Sequence, residues 1–137
     1  MGTEFVLRPV GHVLSELTDP ALAPRQGDEG APEAWLVLDA EMSEAARNLE
    51  VGEEVVVLTW LHRAERNVLV VRPRSDPSRP EQGVFSTRSP ARPNPIGLHR
   101  TTITAIDGNH LKVSALEAID GTPVLDIKPV LREIEER

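Results

Sequence analysis

The stretch TTITAIDGNHLKVSAL, residues 101–116, carries the clearest structural signal in the chain. Two runs with partial alternation of apolar and polar residues, 101–106 and 109–116, flank the pair Asp107-Gly108. Such a pair between alternating runs is typical of a tight turn that joins two antiparallel strands. The stretch therefore predicts a β-hairpin and favours a fold rich in antiparallel strands.

Other segments rich in β-branched residues predict further strands outside this hairpin. They are residues 5–14, 54–60, 67–72 and 123–127. The last of these follows the turn signal Asp120-Gly121. Residues 18–34, rich in proline and glycine, predict a long loop without regular structure, and long loops in compact domains are often functional. The proline-rich stretch 73–97 matches no regular pattern and is left unassigned.

Only one segment has a helical pattern. Its apolar residues recur at i, i+3, i+4 and i+7. They are Met42, Ala45, Ala46 and Leu49. Asp39 precedes them as a candidate N-cap, and Gly52 follows as a stop signal. One short helix among several strands predicts a mainly β fold, most simply a small antiparallel β-barrel that leaves no open edge.

Length and composition limit the class of protein. With 137 residues the chain fits one domain, 1–137, and its 39% of hydrophobic residues is too high for a wholly disordered protein. No run approaches the roughly 20 apolar residues of a membrane-spanning helix, and the N-terminus lacks the layout of a secretory signal. We expect a cytoplasmic protein. Cysteine is absent, which excludes disulfides, thiolate metal sites and cysteine nucleophiles.

Positive charge is concentrated in one part of an acidic chain, whose formal net charge is −7. The interval 72–100 contains only Asp76 and Glu81 as acidic residues. Its arginines are Arg72, Arg74, Arg79, Arg88, Arg92 and Arg100. A local basic patch predicts an anionic or polar partner at one place, and a solvated arginine-rich loop is the alternative.

The stretch GVFSTRSPARPNPIGLHR, residues 83–100, combines this charge with stiffness. Each proline fixes its own φ and restricts the residue before it, so the loop has few conformations to lose on binding. Such a loop can hold Arg88, Arg92 and Asn94 in fixed directions toward a carboxylate, a phosphate or a heteroaromatic edge. A purely structural crossover would explain the prolines but not the arginines between them.

Three other short segments are candidates for binding, and each is a weak signal alone. The tripeptide 24–26 places a guanidinium and an amide beside a proline, and His62 follows a predicted strand. The turn 120–123, Asp-Gly-Thr-Pro, could offer its amides and its hydroxyl to a ligand. The spacing of His12, His99 and His110 fits no metal site, so we predict none.

Taken together, these segments resemble the TsaA-like, or TrmO-type, methyltransferase family. The motifs occur in the family's order: PRQ at 24–26, LTWLHR at 58–63, GVFSTRSPARPNPIGL at 83–98 and DGTPVLDIKP at 120–129. The resemblance implies a small β-barrel that binds S-adenosylmethionine at a homodimer interface. It also implies methylation of the exocyclic nitrogen of threonylcarbamoyladenosine in tRNA.

Matching each motif to the family implies a cofactor pocket built from separate loops. Its residues are Pro24, Arg25, Gln26, His62, Arg63, Arg88, Leu98, Asp120, Gly121, Thr122 and Pro123. Methyl transfer needs mainly an in-line arrangement of nucleophile and methyl group. Because the acceptor is a weakly nucleophilic nitrogen, a base is useful, and His62 and Asp120 are the candidate catalytic residues.

Two features separate this chain from the family members that act on tRNA. Those proteins commonly carry a second, C-terminal domain, and here we expect a single domain without one. The acidic net charge and the 3% of aromatic residues also weaken phosphate binding and base stacking. A small-molecule methyl acceptor, or a binding module without turnover, therefore remains open beside tRNA.

Overall fold

The computed structural model describes residues 2–19, 30–73 and 76–131. Its strands are β1 (Gly11–Leu14), β2 (Ala34–Leu38), β3 (Glu54–Trp60), β4 (Val70–Val71), β5 (Gln82–Gly83), β6 (Ile96–Asp107), β7 (His110–Val113) and β8 (Pro123–Pro129). Two short 3₁₀ helices, Ala40–Met42 and Val84–Ser86, complete the regular elements of this described part. None of these helices is long and apolar enough to cross a membrane. The predicted mainly β fold is confirmed.

Six of the strands form one antiparallel sheet that closes on itself, in the order β1-β2-β7-β6-β3-β8. The ring closes because β8 pairs with β3 along one side and with β1 along the other. Strands β4 and β5 form a separate two-stranded sheet within the long connection from β3 to β6. Every strand of the ring therefore has one face toward a shared interior.

That interior is filled by aliphatic side chains that alternate along the strands. On β3, for example, Val55 and Val57 are fully buried, whereas the alternating residues Val56 and Leu58 are only partly buried. The buried core consists of Val13, Ala34, Leu36, Leu38, Val55, Val57, Ile103, Leu111, Val113, Leu116, Ala118 and Val124. Fully burying one such valine or leucine stabilises the fold by about 1.5–3 kcal/mol, so this cluster is the main source of stability.

The strongest strand predictions are confirmed. Asp107 ends β6 and His110 begins β7, which gives the hairpin predicted around Asp107-Gly108. Strand β3 has the predicted bounds, and β8 extends the predicted 123–127 segment to Pro129. These segments pair over much of their length within the ring, so their alternation of buried and exposed residues is visible in the sequence.

The predicted helix is wrong. Only Ala40–Met42 is helical, as one 3₁₀ turn, and successive turns follow it to residue 48. Asp39 makes no side-chain cap hydrogen bond. The segment is tied to the ring at both ends, where the Asp39 amide donates to Val10 (2.9 Å) and the Gly52 amide donates to Ile103 (2.7 Å). Met42, Ala46 and Leu49 still pack against the core. The apolar spacing therefore predicted correctly which residues face the core, but it predicted the wrong backbone conformation.

Two strand predictions were too long, and two strands of the described residues were missed, β2 and the two-residue β5. Of residues 5–14 only Gly11–Leu14 is a strand, because the chain before it is exposed and Pro9 has no amide to donate. Of residues 67–72 only Val70–Val71 is a strand. Strand β2 was not predicted, since its five residues follow a loop rich in glycine and proline and are too few for a clear pattern.

Gly11 provides a test of how closely β1 and β2 approach. A Cβ atom at Gly11 would collide with the Val37 carbonyl oxygen and lie 2.9 Å from the Leu38 Cα, and backbone atoms cannot move aside as a side chain can. We expect Gly11→Ala to lower the free energy of unfolding by about 2 kcal/mol or more, as overpacking does. Urea unfolding followed by circular dichroism measures this loss.

Gly83→Ala is the matched control, because the nearest atom to its added Cβ is the Leu69 carbonyl oxygen at 4.0 Å. Its free energy of unfolding should change by less than about 0.5 kcal/mol. Equal stability of the two variants would show that β1 and β2 are further apart than described.

Candidate functional site

Three connections leave the strand ring from the same end, which we call the loop end. Because neighbouring strands are antiparallel, β1, β3 and β7 finish there and β2, β6 and β8 begin there. The connections are residues 15–33, 61–95 and 114–122. Their described parts contain His62, Arg63, Arg88 and the turn 120–122, so these separate motifs belong to connections that begin and end at the same end of the ring.

Hydrogen bonds join the turn after β3 to the arginine-rich loop, by which we mean residues 83–95 of the stretch that precedes β6. The Leu61 amide donates to the Pro95 carbonyl (2.8 Å), and the Arg92 amide donates to the Glu65 carbonyl (3.1 Å). The Arg66 guanidinium donates to the Pro93 carbonyl (3.0 Å) and to the Asn94 side-chain oxygen (3.2 Å). The end of the arginine-rich loop is thus fixed against the turn that carries His62 and Arg63.

A second set of bonds joins the Asp120-Gly121 turn to the chain that follows β1. The Asp120 amide donates to the Leu17 carbonyl (2.6 Å), and its Oδ1 accepts from the Ser15 amide (2.9 Å). Arg63 Nη1 donates to the Thr18 carbonyl (3.2 Å), which brings the turn after β3 to the same segment. Residues 15–18 therefore link two of the predicted motifs and lead toward the third.

That third motif, Pro24, Arg25 and Gln26, lies outside the described residues. The structure places the other predicted residues at or beside the loop end, and they differ in solvent exposure. His62, Arg63, Arg88, Asp120 and Gly121 are exposed, Leu98 is 46% exposed on the outside of β6, and Pro123 is half-buried. The contacts bring Arg63 and Asp120 to one segment, whereas no described contact joins Arg88 to either.

The Asp-Gly-Thr-Pro turn differs from the prediction. Its Thr122 side chain is buried, and the hydroxyl donates to the Ile119 carbonyl (2.7 Å). The Gly121 amide donates to the Val13 carbonyl (2.7 Å), and Gly121 has a φ of 82°, which favours glycine. Because these donors already hold the fold together, the turn offers a ligand its Asp120 carboxylate and its surface rather than free amides.

The arginines of the basic stretch fall into two groups. Most are engaged within the protein: Arg92 Nη1 donates to the Thr87 and Ser89 carbonyls at 3.0 Å each, and Arg100 pairs with Glu54 at 3.1 Å. Arg72 likewise donates to the Arg79 carbonyl (2.6 Å). In contrast, within the described part of the chain the exposed Arg88 side chain forms no hydrogen bond or ion pair, and neither does that of His62.

An apolar surface lies beside these groups on the outside of the ring. Leu58 is opposite Leu98, and Trp60 is opposite Ile96, in the pairing of β3 with β6. We call these four residues the β3–β6 outer face. Ile96 is 44% exposed, and the Arg66 guanidinium lies 5.0 Å from the centre of the Trp60 ring. Contiguous exposed apolar residues of this kind mark binding or association surfaces.

Comparison with known proteins identifies the family. The model of the tRNA-methyltransferase O N-terminal domain matches residues 12–136. The chain belongs to this family. A probable S-adenosyl-L-methionine-binding protein of Methanothermobacter thermautotrophicus is 45% identical over 132 residues, covering 96% of this chain and 94% of its own. An S-adenosyl-L-methionine-binding protein of Archaeoglobus fulgidus is 39% identical, covering 96% of this chain and 93% of its own.

Solved structures give the same assignment. A crystal structure of TrmO from P. aeruginosa superposes with a TM-score of 0.74 and 30% sequence identity over 96% of this chain. This TrmO-family chain spans only 56% of that TrmO. The family resemblance drawn from the four motifs is therefore confirmed.

The sequence analysis missed two features of this TrmO-family site. Arg66 fixes the arginine-rich loop and stacks on Trp60, but it lies in a turn with no motif to mark it. The β3–β6 outer face was also missed, although β3 contains an uninterrupted apolar run at residues 55–58. Such a run on an antiparallel strand places apolar side chains on the outer face as well as the inner one, and this signal could have revealed the surface.

Proposed function

We propose that this chain binds S-adenosylmethionine at the loop end and transfers its methyl group, with threonylcarbamoyladenosine of tRNA as the leading acceptor. One observation carries the proposal: the exposed Arg88 has no partner among the described residues, and it lies in a stiff loop that Arg66 and Arg92 hold in place. The S-adenosyl-L-methionine-binding relatives and the tRNA-methyltransferase O family support it. The closed ring of strands supports the small β-barrel that the resemblance implies.

The chemistry of the described residues fits this cofactor. Its carboxylate requires a cation, and Arg88 has a guanidinium that no described group neutralises. Arg66 and Arg92 are directed toward backbone carbonyl oxygens of the loop, so their guanidinium groups serve to hold the loop. The adenosine of the cofactor requires apolar contacts, which Leu98 and the half-buried Pro123 can provide.

When bound, the cofactor supplies an electrophilic methyl group, so the protein's task is to orient the acceptor and to remove its proton. His62 is our first candidate base, because its exposed ring has no partner among the described residues. Asp120 is the second, with Oδ1 held by the Ser15 amide and the other oxygen left for the acceptor. Accurate positioning supplies most of the acceleration in either case.

We also propose that two copies associate through the β3–β6 outer face, so that the site lies at a subunit interface. Burying Ile96, Leu98 and their neighbours against a second copy would remove exposed apolar area from water. Association would also bring the arginine-rich loops of two subunits into one surface. That surface would compensate for the net charge of −7, which opposes binding of tRNA by a single subunit.

The same charge favours a second candidate function, methyl transfer to a small molecule. Because Arg92 and Arg100 are engaged within the protein, few free cations of the basic stretch remain to contact phosphates. A small acceptor would need only the immediate site. A binding module without turnover would keep the cofactor contacts and lack the base.

Arg88→Ala tests the cofactor site. We expect the Kd for S-adenosylmethionine, measured by calorimetry, to rise at least about tenfold, since a charge-assisted hydrogen bond contributes about 1.5–3 kcal/mol. The melting temperature should stay within a degree or two, because the exposed Arg88 side chain bonds to no group in residues 2–19, 30–73 and 76–131.

Arg47→Ala is the control, since it removes an exposed arginine, paired with Glu44 at 3.5 Å, from the opposite end of the ring. Its Kd should equal that of the wild type. Equal loss of binding in both variants, or a parallel fall in stability for Arg88→Ala, would contradict the site.

The acceptor is tested by incubating the purified protein with S-adenosylmethionine and tRNA that contains threonylcarbamoyladenosine. Mass spectrometry of the digested nucleosides should show a gain of one methyl group on that nucleoside, and Arg88→Ala should form this product at least about tenfold more slowly. If the nucleoside is unchanged while the cofactor binds, the acceptor is not tRNA and the small-molecule function is favoured.

Ile96→Glu tests the proposed association. A carboxylate in an apolar contact costs several kcal/mol unless it is paired, so sedimentation velocity should show a shift from dimer to monomer. Ile106→Glu is the control, because Ile106 is 39% exposed on the same strand but lies near the opposite end. A wild type that sediments as a monomer, or two variants that dissociate equally, would refute this interface.

A further inference from the structure

A chain of three hydrogen-bonded polar side chains crosses part of the mainly aliphatic interior. Thr59 Oγ1 lies 2.7 Å from His99 Nε2, and His99 Nδ1 lies 2.6 Å from Glu117 Oε1. Thr59 is fully buried, and the His99 and Glu117 side chains are 4% and 13% exposed. A neutral His99 ring satisfies both contacts at once, since Nδ1–H donates to the carboxylate and Nε2 accepts from the hydroxyl.

Hydroxyl, imidazole and carboxylate follow one another as they do in a catalytic triad, but the environment excludes that role. A nucleophile must meet its substrate, and Thr59 has no exposed surface. The chain also stands apart from the proposed bases, since His62 and Asp120 are exposed and neither contacts it. Its members must therefore act through the elements that they connect.

Those elements carry the motifs of the proposed site. Thr59 is next to the last residue of β3, just before the turn with His62 and Arg63. His99 follows Leu98 on β6, and Glu117 lies in the β7–β8 connection, just before Asp120. Each member is within three residues of a residue assigned to the cofactor. We propose that Thr59, His99 and Glu117 are positioning residues, which hold these three segments in register for cofactor binding.

The ring of His99 makes the connection rigid. An imidazole has two nitrogens in fixed directions, so it sets the separation of the β3 hydroxyl from the carboxylate on the β7–β8 connection. Gly97 provides the space, because it lies opposite Thr59 on the paired strand. A Cβ at Gly97 would lie 2.6 Å from His99 Nε2 and would also collide with the Thr59 hydroxyl. The close contacts of Thr59 and His99 therefore explain why a glycine stands at position 97 in the motif 83–98.

The proposal deepens the proposed function and rests on it for its binding test. Thr59→Val keeps the shape of the side chain and removes the hydroxyl, and Thr59→Ser restores it. We expect Thr59→Val to raise the Kd for S-adenosylmethionine at least tenfold at a temperature where the variant is fully folded. Thr59→Ser should bind within threefold of the wild type.

Val55→Ala is the control for stability, because it removes buried volume from the same strand without touching the polar chain. Binding should persist in Val55→Ala even where its melting temperature falls as far as that of Thr59→Val. If Val55→Ala loses binding equally, the polar chain supports only stability and the proposal is wrong. It is also wrong if Thr59→Val binds as tightly as the wild type.

Hydrogen exchange of the protein without ligand separates this proposal from the proposed function. In Thr59→Val, amides at residues 60–64 and at 117–122 should exchange faster together, whereas Thr59→Ser should match the wild type. If the wild type does not bind S-adenosylmethionine, the proposed function is refuted. The hydrogen-exchange comparison then still tests whether the three residues position these segments. Faster exchange in one segment alone would contradict the coupling.

Discussion

Closure of the sheet by β8 is the constraint on which the rest of this molecule depends. Because β8 pairs with both β1 and β3, the antiparallel strands enclose one interior, and each strand must present aliphatic side chains toward it. Closure also fixes which strand ends lie together. Chain segments far apart in sequence, at residues 15–18, 61–66, 92–95 and 120–123, consequently meet at one end of the ring.

The arginine-rich loop shows how one stretch can serve both structure and function. It has little regular hydrogen bonding of its own, and its backbone carbonyls are satisfied by the guanidinium groups of Arg66 and Arg92. These bonds and the prolines leave the loop little freedom. Arg88, which has no partner in the described part of the chain, therefore lies in a loop that would lose little conformational entropy on binding.

The inner and outer faces of β3 and β6 carry different kinds of side chain. The buried side chains of the two strands are the aliphatic Val55, Val57 and Ile103 together with the polar Thr59, His99 and Thr101. The polar chain of Thr59, His99 and Glu117 is tolerated because every member has a partner. Outward side chains of the same strands form an apolar face, which is not needed to fill the ring. Such a face on an acidic protein is consistent with a role outside the single chain.

Local pattern was sufficient for the hairpin at 101–116, for β3, for β8 and for the family, because these depend on alternation and on motifs that neighbouring residues carry. It failed for the predicted helix, where the apolar spacing of Met42, Ala46 and Leu49 is accommodated by turns that the ring ties at both ends. It also failed for β2, whose pattern is too short to stand out. The sequence by itself determined a mainly β chain of the TrmO family. Only the tertiary structure decided that Arg66 holds the Pro93 carbonyl and that Thr59 meets His99 from forty positions away, because a partner brought close by strand pairing leaves no trace in the local sequence.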